Sequence, residues 1–348
     1  MPRKGGPLGG IRVVDLGWLT AGAATSALLL DLGADVVKVE GPGALDPFRD
    51  WAEAEADTDW WNRSPFYNFT NRGKRSLCLD LKDPRGREAL LRVLEGADVL
   101  VENYRRGVLA SFGLAPEMLR TRFPRLIIAS VSSQGEDGPE RDMVSFGSTL
   151  EATSGLAALT GSAEGDPEIT GRNVNYPDQV VCLFATGAIV AALAQRDATG
   201  MGGHLDLSQR ELTSFLLGEE LIAAAAGVPT RRRGNADPAS EGEAVIRDGD
   251  GWRAVWNGGT APVRDGVALA AAPEFAAGSA ILRTPGGEPA KGMPFSFATW
   301  PAAIERGPSD LGADNRAVLL EAGLTPLEVG ALEEAGVLAA RPRRGPAR

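Results

Sequence analysis

With 348 residues, 43% of them hydrophobic and 24% charged, the chain has the profile of a soluble globular protein, long enough for one large domain or two ordinary ones. Its net charge of −10 argues against general binding of nucleic acid, although a local basic pocket stays compatible with it. One histidine, His204, removes most metal sites and most Ser–His or Cys–His catalysis, and two cysteines in apolar runs, Cys78 and Cys182, fit reduced buried thiols of a cytoplasmic protein better than a disulfide framework.

From the N-terminus, "MPRKGGPLGGIRVVDLG" shows no apolar core of a secretion signal. No apolar stretch is expected to span a membrane, because Gly, Thr or charge interrupts each one. "IRVVDLG" reads as a buried strand, "AGAATSALLLDLGA" as a small-residue helix and "DVVKVEGPG" as a second strand ending in a turn. Then follow "SLCLDL" (strand), "DPRGREALLRVLEGA" (helix, with Asp83 as its cap), "DVLVENY" (strand), "PEMLRTRF" (helix) and "RLIIASVSS" (strand). Strands alternating with helices predict an α/β fold with a parallel sheet covered on both faces. Residues 148 to 226 are expected to be mostly helical, interrupted by a Gly-rich turn and the short strand "GHLDLS". Beyond residue 230 the periodicity is weak: "GWRAVW" reads as one strand, "TPLEVGALEEAG" as a late helix, and "RPRRGPAR" as a disordered tail.

The glycines near the first strand do not spell GxGxxG. An α/β sheet nevertheless binds ligands at the carboxyl ends of its strands, and functional loops are therefore expected at 17–22, 40–43, 80–82, 102–107 and 132–135. Around one strand Arg72, Lys74, Arg75 and Lys82 gather, and Arg105 and Arg106 stand at another strand's end. Two basic loops at one sheet edge suit a phosphate-bearing ligand, with a solvated basic rim as the competing reading. His204, between "TGMGG" and a strand, is expected to be structural.

Asp178 is the remaining candidate. In "NYPDQVVCLFATGAIVAALAQR" it precedes a run with no charge until Arg196, and Pro177 marks the helix entry. Asp is a good helix cap, and a carboxylate held ionised at a helix N-terminus is also a nucleophile toward an activated acyl group. Both readings stay open at this level.

Taken in order, "LGGIRVVDLG", "LLLDLGADVVKVEGPG", "NRGKRSLCLDLKDPRGREAL", "ADVLVENYRRGVLASFGL", "PRLIIASVSSQGEDGP", "SGLAALTG" and "AALAQRDATGMGGHLDLSQRE" resemble the class III CoA-transferases, relatives of formyl-CoA transferase, the carnitine CoA-transferases and α-methylacyl-CoA racemase. The resemblance implies a Rossmann-like large domain at 1–228, a reduced small domain or linker at 229–290, and a segment at 291–340 returning to the large domain, ahead of the tail at 341–348. It also implies an interlocked dimer with coenzyme A and acyl-CoA as substrates, no permanent cofactor or metal, a carboxylic acid acceptor, and no nucleic-acid or membrane partner. Asp178 falls at the family's nucleophile. The CoA-binding loops fall at Thr20 and Ala21; Leu79, Asp80 and Lys82; Asn103, Tyr104 and Arg105; and Ser145, Phe146, Gly147 and Ser148. Gly41 and Ser111 stand where formyl-CoA transferase has arginines, and Thr20 replaces a glutamine, which leaves Lys38, Arg75 and Arg105 as candidates for phosphate contacts.

Two departures from the family pattern concern the cover of the site. "GWRAVW" runs almost directly into "GGTAPVRD", shortening the small domain, and "DPASEG" follows "RGNA" in place of a glycine-rich flap. Three functions follow: CoA transfer through an aspartyl anhydride; racemase-like α-proton chemistry, weakened because Gly147 stands near the racemase histidine position; or a degenerate CoA-binding subunit completed by a full-length homologue in a heteromer.

Overall fold

The computed structural model describes residues 6–51, 59–170, 174–235, 244–276, 280–293, 296–301 and 303–343. In chain order its first half runs β1 (Arg12–Asp15), α1 (Ala21–Asp31), β2 (Asp35–Glu40), α2 (Pro65–Asn71), β3 (Arg75–Cys78), α3 (Pro84–Glu95), β4 (Val99–Glu102), α4 (Val108–Ser111), α5 (Pro116–Arg122) and β5 (Ile127–Ser132). Then come α6 (Gly147–Ser154), α7 (Leu156–Leu159), α8 (Tyr176–Thr199), β6 (Gly203–Ser208), α9 (Gln209–Phe215) and α10 (Gly218–Ala225). The six strands form one parallel sheet in the order β3-β2-β1-β4-β5-β6, the doubly wound Rossmann arrangement. "GHLDLS" is therefore a full member of the sheet, paired with β5 from Ile127↔Gly203 to Ser132↔Ser208.

Alternation along each strand sends neighbours to opposite cores. Val13, Val99, Val101, Ile127 and Ala129 meet Leu29 of α1 and Ile189 and Leu193 of α8. On the other face Val14, Val37, Leu100 and Ile128 meet Leu90 and Leu94 of α3. α8 has 24 residues, and by length and composition it is apolar enough to cross a membrane, contrary to the expectation from its Gly and Thr residues. Those residues do not interrupt the helix, since Thr186 bonds its own turn at Cys182 O (2.7 Å), and Val181, Cys182, Ala185, Ile189 and Leu193 bury one side of it inside the protein.

After α10 lie β7 (Ala244–Asp248), β8 (Gly251–Trp256) and β9 (Gly259–Pro262) in an antiparallel sheet, α11 (Gly266–Ala271), α12 (Pro273–Ala276), and the hairpin β10 (Ile281–Arg283) with β11 (Pro289–Lys291). The abrupt passage from "GWRAVW" to "GGTAPVRD" is itself a hairpin, with β8 and β9 closing on each other at Trp256↔Gly259 around Asn257–Gly258. Asn and Gly are both favoured turn residues, and Gly258 takes a positive φ (101°), which glycine adopts without steric cost. "DPASEG" lies outside the described residues. Finally α13 (Asn315–Glu321) and α14 (Pro326–Glu334), the latter opened by a Thr325–Glu328 capping box, return to the large sheet, burying Val318, Leu319 and Val329 in the α3 core. Arg343, read from the sequence as part of a loose tail, is held in place: its backbone N–H donates to Pro42 O (2.7 Å) and its guanidinium pairs with Asp80.

A cluster of charges is buried between β1, β2 and the segments that follow them. Lys74 Nζ donates to Asp15 (2.9 Å), Lys38 to Asp46 (3.0 Å), and Arg49 Nη2 to Glu40 (2.8 Å). Each charge therefore has a partner, the condition under which buried ions are tolerated.

Candidate active site

Strand order reverses between β1 and β4, so their carboxyl-end loops diverge and open a crevice. The β1–α1 loop is drawn tight: a Cβ on Gly17 would stand 2.6 Å from the backbone of Gly22, and one on Gly22 would stand 2.8 Å from Asn103 Oδ1. Asn103 ties the two loops together, accepting from Trp18 N–H (2.7 Å) and donating to Trp18 O (3.0 Å). Above this junction lies a cavity of about 1550 Å³, beyond the usual range of roughly 300–1,000 Å³ for small-ligand pockets. Among the described non-glycine residues, only Leu19 (φ 54°) and Asn175 (φ 53°) have positive φ, and both line it.

Asp178 lies in the wall of this cavity. It does not cap α8. Asn175 takes the cap position in left-handed geometry, Pro177 follows in the first turn, and Asp178 stands three residues inside. Its carboxylate accepts from Asn175 Nδ2 (2.6 Å) and from Gln209 Nε2, the first residue of α9. Burial pushes the Asp178 pKa up to about 6 against the lowering effect of the Gln209 bond, so the group is ionised at neutral pH yet more basic than an ordinary aspartate. Opposite Asn175 sits Gly147, where a Cβ would overlap the Asn175 side chain. Lys291, at the end of β11, reaches the same cavity and donates to Gln179 Oε1, beside Asp178 on α8.

Of the residues singled out from the sequence, the structure brings Thr20, Ala21, Asp80, Lys82, Asn103, Tyr104, Arg105, Ser145, Phe146, Gly147, Ser148 and Asp178 around one cavity. Lys38, Arg75 and Leu79 lie outside it. Lys38 is engaged by Asp46 and Gly17 O in the interior; Arg75 pairs with Asp35 (3.2 Å) and Glu321 (2.8 Å); and Leu79 is a core residue. Within the basic cluster, Arg72 and Lys74 are likewise engaged, by Asp31 and Asp15. Lys82 and Arg105 remain as exposed cavity-lining cations without a carboxylate partner among the described residues, whereas Arg106 pairs with Asp142 (3.1 Å). His204 bonds Ser130 Oγ (2.9 Å) and is not among the cavity-lining residues.

Gln209, Asn175, Gln179 and Lys291 were not anticipated. Gln209 follows a strand's carboxyl end, and the loop rule would have found it had "GHLDLS" been counted in the sheet. Asn175 is among the preferred cap residues and competed directly with Asp178 for the position. Lys291 lies in a hairpin whose weak periodicity concealed it.

The sequence profile of CoA-transferase family III matches residues 8–277. The chain belongs to this family. Succinate–glutarate CoA-transferase from Agrobacterium fabrum is 36% identical over 255 residues, 72% of this chain and 63% of that protein. The β subunit of succinyl-CoA–L-malate CoA-transferase from Chloroflexus aurantiacus is 34% identical over 220 residues, 63% of this chain and 52% of that one. A solved CaiB/BaiF family protein from Brucella suis superimposes with a TM-score of 0.84 at 25% identity, over 92% of this chain and 100% of the other. The chain thus spans less than two thirds of the length of either of these curated relatives. Within the family III match, residues 8–277, fall Asp178, Gln209 and the loops at the switch point; the hairpin carrying Lys291 lies beyond it.

Proposed function

We propose that this chain exchanges coenzyme A between an acyl-CoA and a carboxylic acid, with Asp178 as nucleophile. The observation that carries this reading is a basic, amide-flanked carboxylate in the wall of the cavity that Lys82 and Arg105 also line. Asp178 attacks the thioester carbonyl, the C–S bond breaks, and CoA thiolate leaves a mixed anhydride. The thiolate then attacks the aspartyl carbonyl, releasing the donor acid and leaving an aspartyl-CoA thioester. The acceptor carboxylate displaces thiolate to form a second anhydride, and thiolate attack on its acceptor carbonyl gives the new acyl-CoA and frees Asp178. Gln209 and Asn175 supply amide donors to the carboxylate throughout, fixing its orientation. Lys82 and Arg105, exposed in the cavity lining, are donors for the CoA moiety.

Incubation with succinyl-CoA, glutarate and hydroxylamine, followed by mass spectrometry, tests this reading. A hydroxamate on Asp178 is expected; exchange that proceeds equally well in Asp178→Ala protein would refute it. Gly147→Ala is expected to displace Asn175 and lower exchange by about 10- to 100-fold, with an unaltered circular dichroism spectrum, since small misplacement of a reacting group has effects of that order. Racemase-like chemistry finds less support, because the partners of Asp178 are neutral amides and His204 stands elsewhere.

A dimer accords with the apolar surface left by α8, α9 and α10. Phe215 (68% exposed) and Ile222 (72% exposed) face outward, and α10 buries none of its residues. Light scattering on the purified protein, alone and with a co-expressed full-length homologue, distinguishes a homodimer from a heteromer.

A further inference from the structure

We infer that Lys291 anchors a second carboxylate on the substrate, so that the acids handled at this site are dicarboxylic. This rests on the transfer reading at Asp178 and adds to it the class of acid. Lys291 is positioned by its backbone. Its carbonyl accepts from Arg72 Nη2 (2.6 Å), and Arg72 is itself gripped by both oxygens of Asp31 (2.9 and 2.9 Å). Asp31, Arg72, Lys291 and Asp178 all line the one cavity. The clamp joins β11 to the end of α1 and leaves the lysine side chain to extend along the first turn of α8, where its ammonium meets Gln179.

That partner is an uncharged amide. Among the described residues Lys291 forms no ion pair: both oxygens of Asp31 are taken by Arg72, and those of Asp178 by Asn175 and Gln209. Lys291 also acts at a distance on the Asp31 carboxylate, but Arg72 already holds both oxygens of that group, and the half-buried ammonium, hydrogen-bonded to a neutral amide, keeps unmet capacity for an anion. Its place argues against a phosphate of CoA, because the free cations Lys82 and Arg105 stand at the ends of β3 and β4, whereas Lys291 bonds the residue next to the nucleophile. Nor does Lys291 act on Asp178 itself, whose pKa stays raised with Gln209 as its lowering influence. The positive charge is thus offset from the point of attack, as required for a carboxylate at the far end of the acyl group.

Calorimetric titration of the CoA-loaded protein with glutarate and with butyrate, repeated for Lys291→Met and Lys291→Arg, tests the anchor without requiring turnover. Wild-type protein should bind glutarate about tenfold or more tightly than butyrate, a gap that Lys291→Met removes and Lys291→Arg largely keeps. In exchange assays from succinyl-CoA, Lys291→Met should raise the KM for glutarate by a similar factor with little change in kcat. Equal binding of the two acids by wild-type protein, or an equal loss for both in Lys291→Met, overturns the inference. Discrimination in binding with no exchange from any donor would sustain the anchor and defeat the transfer reading.

Discussion

Asp178→Asn is expected to lower CoA exchange by at least about 10³-fold while CoA binding changes only severalfold, because the carboxamide keeps the shape of the side chain but lacks the nucleophile. Two further properties separate this outcome from simple damage. In wild-type protein kcat/KM should fall about tenfold per pH unit below the Asp178 pKa of about 6, since only the ionised form attacks, and should level off above it. The same variant should be more stable than wild type at pH 7 to 8. The folded-state pKa of about 6 lies above the ordinary 3.8, so between these two pH values the folded protein holds a proton that the unfolded chain has released. Stability therefore falls as pH rises from about 4 to about 6, by on the order of 2–3 kcal/mol, and the asparagine variant escapes that fall. Urea melts at pH 4 and pH 7.5 measure it, and an advantage for the variant that is the same at both pH values would contradict the assignment.

The largest stability effect is expected at Arg49→Met. The Arg49 guanidinium donates to both oxygens of Glu40 (Nε at 2.9 and 3.1 Å, Nη2 at 2.8 Å) and to Trp61 O (2.5 Å), and it stacks 3.6 Å from the centre of the Tyr67 ring. Burial alone would push the Glu40 pKa up, but Arg49 outweighs it and holds the group at about 2. Removing Arg49 leaves Glu40 as a buried carboxylate without its ion-pair partner, at a cost of about 3–5 kcal/mol, readable as a lower urea midpoint at pH 7. The sign with pH follows from the depressed pKa. The stabilisation is present above the ordinary 4.5 and is lost as pH falls toward 2, so the gap between wild type and variant should close under acid. The pair also ties Pro47–Trp51 to the end of β2, and Phe48, next to Arg49, lines the cavity. Loss of exchange in this variant would therefore accompany loss of fold, unlike the effect at Asp178.

Much of the fold was legible in the residues. The first five strands and their helices announce themselves because a parallel strand covered on both faces is a short unbroken apolar run, bounded by turn residues that depend only on local chemistry. "GHLDLS" was visible as a strand but not as the sixth member of the sheet, since sheet membership is a matter of pairing with β5, more than seventy positions earlier. The small antiparallel sheet was legible only at "GWRAVW", because its short exposed strands carry no apolar alternation to read.

For the site the division follows the same physics. The sequence by itself determined the Rossmann-like α/β class, the loops where a ligand belongs, and the one acid, Asp178, in front of an uncharged helix. Only the tertiary structure decided which charges are free to meet a ligand. Arg72, Lys74, Arg75 and Lys38 look alike in the sequence, yet each is engaged by an acid from another part of the chain, leaving Lys82 and Arg105. Likewise Gln209 from α9 and Lys291 from β11 converge on the first turn of α8, beside its cap residue Asn175. Local propensity is written residue by residue, whereas the partner of a buried or half-buried charge is set by packing across the whole fold.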